Sequence, residues 1–121
     1  MPTATGELNR LLGEFNERHS ADLSMVVSRT GVPIAHQGPK ELNADTFASL
    51  AATLMNAAEV LYIGLGRTIP DRIVVESANG TLVASGLGSK AMLVALGRRE
   101  EILRGIEDMT EGLRSVLGTK S

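Results

Sequence analysis

Residues Ala44 to Leu65 read ADTFASLAATLMNAAEVLYIGL, and only Asp45 and Glu59 carry charge among them. The segment reads as a helix of about six turns. At ~100° per residue, Phe47, Leu50, Ala51, Leu54, Ala58, Leu61 and Leu65 fall on one broad apolar face, expected to meet the domain core. The opposite face is expected to hold Ser49, Ala52, Thr53, Asn56, Val60 and Ile63, which are small, β-branched or weakly polar. Neither side has the charges of a solvated surface. A helix dry on both sides needs two covers, and a chain of 121 residues has little material for the second. Another copy of the chain is the simplest cover. The sequence therefore predicts a two-fold dimer through Ser49, Ala52, Thr53, Asn56, Val60 and Ile63, whose small side chains let two backbones approach closely.

The segment from Arg98 to Leu117 is an internal control, with nine charged residues in 20. Its apolar positions, Ile102, Ile106, Met109, Leu113 and Val116, form a single stripe, as in an ordinary surface helix. A third helix is predicted from Gly6 to Arg18, capped by Thr5, with Leu8, Leu11, Leu12 and Phe15 at i, i+3, i+4, i+7 spacing. Two strands, Leu23 to Ser28 and Val32 to Gln37, flank the turn Arg29-Thr30-Gly31. Pro33 places the second strand at a sheet edge, because it cannot donate to a ladder. Asn43 is positioned to cap the long helix, and Gly64-Leu65-Gly66 to end it.

Pro70 opens a strand from Asp71 to Ala78. Asn79-Gly80 is the strongest hairpin signal in the chain and predicts a type I′ turn, which leads into Thr81 to Ser85. Gly86-Leu87-Gly88-Ser89 turns the chain again, and the unbroken apolar run Ala91 to Leu96 suits a strand covered on both faces. The order helix, two strands, helix, three strands, helix gives an α+β domain with a five-stranded antiparallel sheet. The first and last helices are expected on one face and the long middle helix on the other. The strand beginning Arg72-Ile73-Val74-Val75-Glu76 is the other expected edge. Pairing with its own copy through Arg72, Val74 and Glu76 would remove an aggregation-prone border.

Composition removes several function classes. A net charge of −2, a pI near 5.7 and three aromatic residues leave no footprint for nucleic acid. With no cysteine, disulfides and thiolate chemistry are excluded. The longest uncharged window, Thr46 to Ala58, is too short to span a bilayer, and no secretion signal opens the chain, so no membrane insertion and a cytoplasmic location are expected. His19 and His36 lack metal-ligand spacing and are read as solvated or capping residues. Gly86-Leu87-Gly88-Ser89-Lys90 lacks the Ser or Thr after lysine, and the following helix, that a phosphate loop requires; it is read as a hairpin turn. Arg98-Arg99-Glu100-Glu101 reads as a solvated helix start, and Arg67, Arg72 and Lys90 as scattered surface charges. Asp71 with Glu76, or Asp45 with Glu59, has no second functional group beside it, so no catalytic set, cofactor site or metal site is expected.

The pattern resembles the roadblock / dynein light-chain family over about residues 6 to 117, with 1–121 forming one domain. The resemblance is carried by the leading helix (Leu8, Leu11, Leu12, Phe15), by Leu23-Ser24-Met25-Val26-Val27-Ser28-Arg29-Thr30-Gly31-Val32-Pro33-Ile34-Ala35, and by the long Ala/Leu helix. The segments Ile73-Val74-Val75-Glu76-Ser77-Ala78-Asn79-Gly80-Thr81-Leu82-Val83 and Ala91-Met92-Leu93-Val94-Ala95-Leu96, with a closing helix, complete it. It implies a profilin-like α-β-β-α-β-β-β-α topology with strand order 2-1-5-4-3. It also implies a homodimer with paired middle helices and third strands, acting as a non-catalytic scaffold or regulator of a small Ras-like GTPase, and some relatives stimulate GTP hydrolysis. The alternatives are a small-molecule sensing domain of related build and a structural light chain of a larger complex. The former needs a concave pocket, which the Leu, Ile and Val of the inward faces argue against.

Overall fold

The computed structural model describes residues 3–118. In chain order the elements are α1 (Ala4–His19), β1 (Leu23–Ser28), β2 (Pro33–Gln37), α2 (Ala44–Gly64), β3 (Arg72–Ser77), β4 (Gly80–Gly86), β5 (Ala91–Gly97) and α3 (Arg99–Leu117). The strands form one antiparallel sheet in the order β2-β1-β5-β4-β3. Fold class and strand order agree with the sequence reading. The helix α1 begins two residues earlier than expected because Thr3, not Thr5, is its cap, with Oγ1 accepting from Gly6 N at 2.9 Å. Asn43 caps α2 as expected, its side-chain oxygen accepting from Thr46 N at 3.1 Å.

Each sheet face has its own core, sorted by the two-residue period of the strands. On one face Leu8, Leu12 and Phe15 of α1 and Ile102, Ile106 and Leu113 of α3 close over Val26, Val83, Leu93 and Ala95. On the other face Met25, Val27, Ala84, Met92 and Val94 meet α2. The side of α2 that meets them is Ala48, Ala51, Ala52 and Met55. The leucine-bearing face expected there is turned outward instead: Leu50, Leu61 and Leu65 are 64%, 67% and 73% exposed. The reason is volume. Met25 and Met92 from β1 and β5, with Met55 of α2 itself, fill the layer, so the remaining contact positions of the helix are alanines.

The hairpin at Asn79-Gly80 forms, with a different turn. Ser77 pairs with Gly80, so Ala78 and Asn79 are the loop residues and Gly80 is the first residue of β4. Gly80 takes φ +142° but Asn79 does not take positive φ, so the turn is not type I′. Ser77 Oγ stabilises it by donating to Gly80 O at 3.0 Å and accepting from Asn79 N at 3.2 Å. Of the two glycines that end α2, only Gly66 adopts the left-handed conformation.

Candidate functional site

The surface to explain is the outward side of α2 and the sheet edge beside it. Along α2 the ladder of small residues on the sheet leaves two flanks. One holds Ser49, Thr53, Asn56, Val60 and Ile63, all exposed. The other holds Leu50, Leu54, Leu61 and Leu65, also exposed. At 100° per residue these arcs lie on opposite sides of the buried one. Ala52, read from sequence as part of the outer face, belongs to the buried arc: it is 4% exposed and packs on the sheet. That corrects one member of the expected dimer surface.

The two outer flanks differ in what stands next to them. The β1–β2 turn closes on the Ser49 side, where a methyl added at Gly31 would lie 3.1 Å from Ser49 Cα. Glu59 is also tied down, its carboxylate accepting from Arg29 Nη1 at 2.9 Å while Arg29 Nη2 donates to Gly88 O at 3.2 Å. The leucine flank points away from that turn. Past Glu59 the helix has Val60, Leu61, Tyr62 and Ile63 exposed in succession, so every side of its last turn is apolar and open.

The two sheet edges are unlike each other. On β2, Pro33 lacks an N–H and the register with β1 shifts between Val26 and Val27, which blunts that border. On β3, six residues pair with β4 in unbroken register, and the other side of the strand has no partner strand among the described residues. Ile73 and Val75 share the α2 face with Ala84 and Leu82 of β4. Arg72, Val74 and Glu76 lie on the α3 side instead. There Arg99 Nε donates to Glu76 at 2.5 Å, and Arg72 faces Glu107 at 4.0 Å. The side chains that extend the apolar surface of α2 across the sheet are therefore Ile73 and Val75, which the sequence reading passes over. The two-residue period, anchored on the buried Val83, would assign them.

Two other expectations change. His36 is exposed on the edge strand as read, but His19 is buried rather than solvated. It stacks edge-on to Phe15 at 5.5 Å and lies 3.5 Å from Glu101 and 3.7 Å from Asp108 on α3. The second concerns α2 itself, which at 21 residues is long and apolar enough to cross a membrane by length and composition, contrary to the short window counted from sequence. In the fold it lies on its own sheet, and its Glu59 is paired. Among the described residues, no group of three or more His, Asp or Glu could hold a metal ion.

The Roadblock/LC7 domain family model matches residues 7–97. Among solved structures, the fold is similar to the gliding protein MglB from Thermus thermophilus, with a TM-score of 0.84 at 21% identity over 93% of this chain and 90% of that one. An MglB described with a tetrameric arrangement matches at 0.85, 21% identity, and 93% and 89% coverage. A Roadblock/LC7 domain from Streptomyces avermitilis matches at 0.80, 24% identity, and 93% and 99% coverage. The profilin likeness is seen in profilin IA of Acanthamoeba castellanii, at 0.64, 11% identity, and 88% and 96% coverage.

Proposed function

The chain belongs to the Roadblock/LC7 domain family, and we propose that it is a non-catalytic, self-associating interaction module that regulates a small Ras-like GTPase. The observation that carries the reading is that two apolar features are left without cover, the leucine flank of α2 and the unblunted β3 edge, whose Ile73 packs into the same core that α2 covers. Leu50, Leu54, Leu61 and Leu65 stand open to solvent in the single chain, and the β3 backbone has an open row of donors and acceptors. A second copy placed by a two-fold axis covers both at once: α2 packs antiparallel on its mate, and β3 pairs with its mate to join two five-stranded sheets. Val60 and Ile63 add apolar surface at the exposed end of the helix. Ser49, Thr53 and Asn56, on the other flank, remain available with the Gly38 to Glu41 loop as a platform for the GTPase.

The role toward the GTPase rests on family likeness and on the kind of surface presented, a broad helical face without a reactive group. The reading extends to stimulation of GTP turnover by completing or ordering the partner's own site. MglB supports a motility-linked setting and assembly beyond one chain, since one MglB is described with a tetrameric arrangement. A cytoplasmic location belongs to the same reading. Sedimentation equilibrium of the full chain across micromolar concentrations tests the assembly; a species that stays at 12.8 kDa throughout would remove the basis of the proposal. Small GTPases encoded beside the chain, mixed with it and assayed for phosphate release, test the regulatory half. Turnover and binding unchanged for each of them would sink that half.

A further inference from the structure

The buried stripe of α2 changes chemistry as it leaves the sheet. Ala48, Ala51, Ala52 and Met55 pack on the core, and Glu59 follows Met55 one turn later on the same side. The strand beneath changes in the same way. Met25 and Val27 of β1 face α2, and Arg29 is the next residue of that two-residue period. Two apolar rows therefore end in opposite charges, and the charges meet. Arg29 Nη1 donates to Glu59 Oε2 at 2.9 Å, with the side chains 25% and 19% exposed.

Beyond this pair the domain gives α2 little cover. From Asn56 to Ile69 every residue except Ala58 and Glu59 is exposed. The sequence there is also a weak helix former: Val60 and Ile63 are β-branched, Tyr62 is aromatic and Gly64 follows. No basic residue in the last turn meets the negative end of the helix dipole. Such an end unwinds readily back to its last anchored turn. Met55 is the last buried residue of the helix, so the ion pair moves the anchor one turn forward, to the threshold of the open segment.

Arg29 is itself held. Its backbone N–H donates to Lys90 O at 2.9 Å and its Nη2 donates to Gly88 O at 3.2 Å. Glycine at 86 leaves room for that nitrogen, since a methyl there would lie 2.9 Å from it. The guanidinium is thus a fixed point on the β4–β5 loop, and the carboxylate that meets it fixes the end of α2.

We propose that Arg29 and Glu59 are positioning residues for the association surface. Their ion pair keeps the open end of α2 wound and aimed, so that Leu61 and Leu65 are presented to a second copy. The inference rests on the self-association proposed above, yet neither residue belongs to the seam. Glu59 faces its own domain, and its effect passes through the backbone of the helix.

The test combines backbone NMR relaxation on Leu61→Glu, where association is removed, with sedimentation equilibrium on the chain that retains Leu61. Adding Glu59→Ala should lower the order parameters of Ala57 to Ile63 from the rigid-backbone value of about 0.85 toward the ~0.6 of flexible chain. Those of Ala48 to Met55 and of β5 should hold, which a general loss of stability would not distinguish. Arg29→Gln should give the same pattern, and the double variant should lose no more there than Glu59→Ala alone. Asp45→Ala, which removes the other acid of α2, should leave that segment unchanged. In the associating chain Glu59→Ala should raise the dissociation constant about fivefold or more. If Glu59→Ala melts early, Glu59→Gln is read in its place, since it removes the charge within the same shape. Order parameters unchanged, or lowered equally across the sheet, overturn the proposal, as does a loosened helix end with the dissociation constant unchanged. A chain with Leu61 that stays monomeric at every concentration instead defeats the earlier reading and removes the association half, and the order parameters then decide whether the pair anchors the helix end.

Discussion

Leu61→Glu should dissociate the self-associated form and leave the fold intact. Leu61 is 67% exposed in the single chain, so cover by a partner buries about two-thirds of a leucine side chain. That burial is worth ~1–2 kcal/mol per copy, and a two-fold axis counts it twice, giving about 2–4 kcal/mol. At 1.4 kcal/mol per decade the dissociation constant rises about 30- to 700-fold, before the two carboxylates near the axis repel each other. The monomer fold should change by no more than about 0.5 kcal/mol, because the site is open to solvent. Sedimentation equilibrium reads the first quantity and a urea melt followed by circular dichroism reads the second. Ala52→Glu is the contrasting variant. Sequence alone marks Ala52 as a surface contact, but in the fold it is 4% exposed over Met25, Val27 and Met92, so a carboxylate there should cost about 3 kcal/mol or more and unfold the chain. Wild-type association that Leu61→Glu leaves within a factor of about three would refute the seam. A well-folded Ala52→Glu would refute the orientation of the helix.

Arg29→Ala should lower stability by about 1–3 kcal/mol in a denaturant melt, because it leaves the half-buried Glu59 carboxylate and the Gly88 carbonyl without their donor. Gly13 and Gly105 are both helical and should respond oppositely to alanine. Nothing lies within 4 Å of an added methyl at Gly13, so Gly13→Ala should gain about 0.5–1 kcal/mol; at Gly105 the methyl would sit 2.7 Å from the buried His19 ring, so Gly105→Ala should lose about 1–2 kcal/mol, as thermal melts of the pair will report. The hydrogen bond from Arg10 holds the Glu7 carboxyl below its ordinary value, with desolvation opposing and the Arg10 charge assisting. A carboxyl depressed in the folded state stabilises at pH above its unfolded pKa, and that contribution disappears as pH falls through the folded value. Carbon-13 NMR of the side chain should therefore place its titration below that of a model glutamate, and the depression should vanish in Arg10→Gln.

What the sequence reveals depends on how many interactions vote at each position. The helix count and the central position of β5 rest on whole segments of alternating or unbroken hydrophobicity, so a misread residue or two does not change them; the full strand order comes from the family resemblance. Pro33 alone assigns an edge, since a missing N–H is a local fact that no packing restores. His19 is opaque because its burial comes from Gly105 on a helix 86 residues downstream, and nothing near His19 announces that gap. The pairing of Arg29 with Glu59 is hidden for the same reason: the two are 30 residues apart, and nothing near either one marks the other until the fold lays α2 across β1.

The phase of α2 is the instructive error, since the information is present in the sequence and a hydrophobicity scale weighs it wrongly. A hydrophobicity wheel ranks the leucines above the alanines and so turns Leu50, Leu54 and Leu61 toward the core. Packing depends on volume summed across a layer, and the layer under α2 already contains Met25 and Met92 from the strands and Met55 from the helix itself. A second set of large side chains in that space would push the helix off the sheet and open a void along its length. Ala48, Ala51, Ala52 and Met55 recur at i, i+3, i+4 and i+7, which is itself a helical stripe, and it is the stripe whose volume fits. The leucines are then left outside by the same constraint. A face that is too bulky for its own core, and too apolar for water, is stable only against something that does not have to fit beneath the helix. That is the physical ground for expecting a second chain on α2.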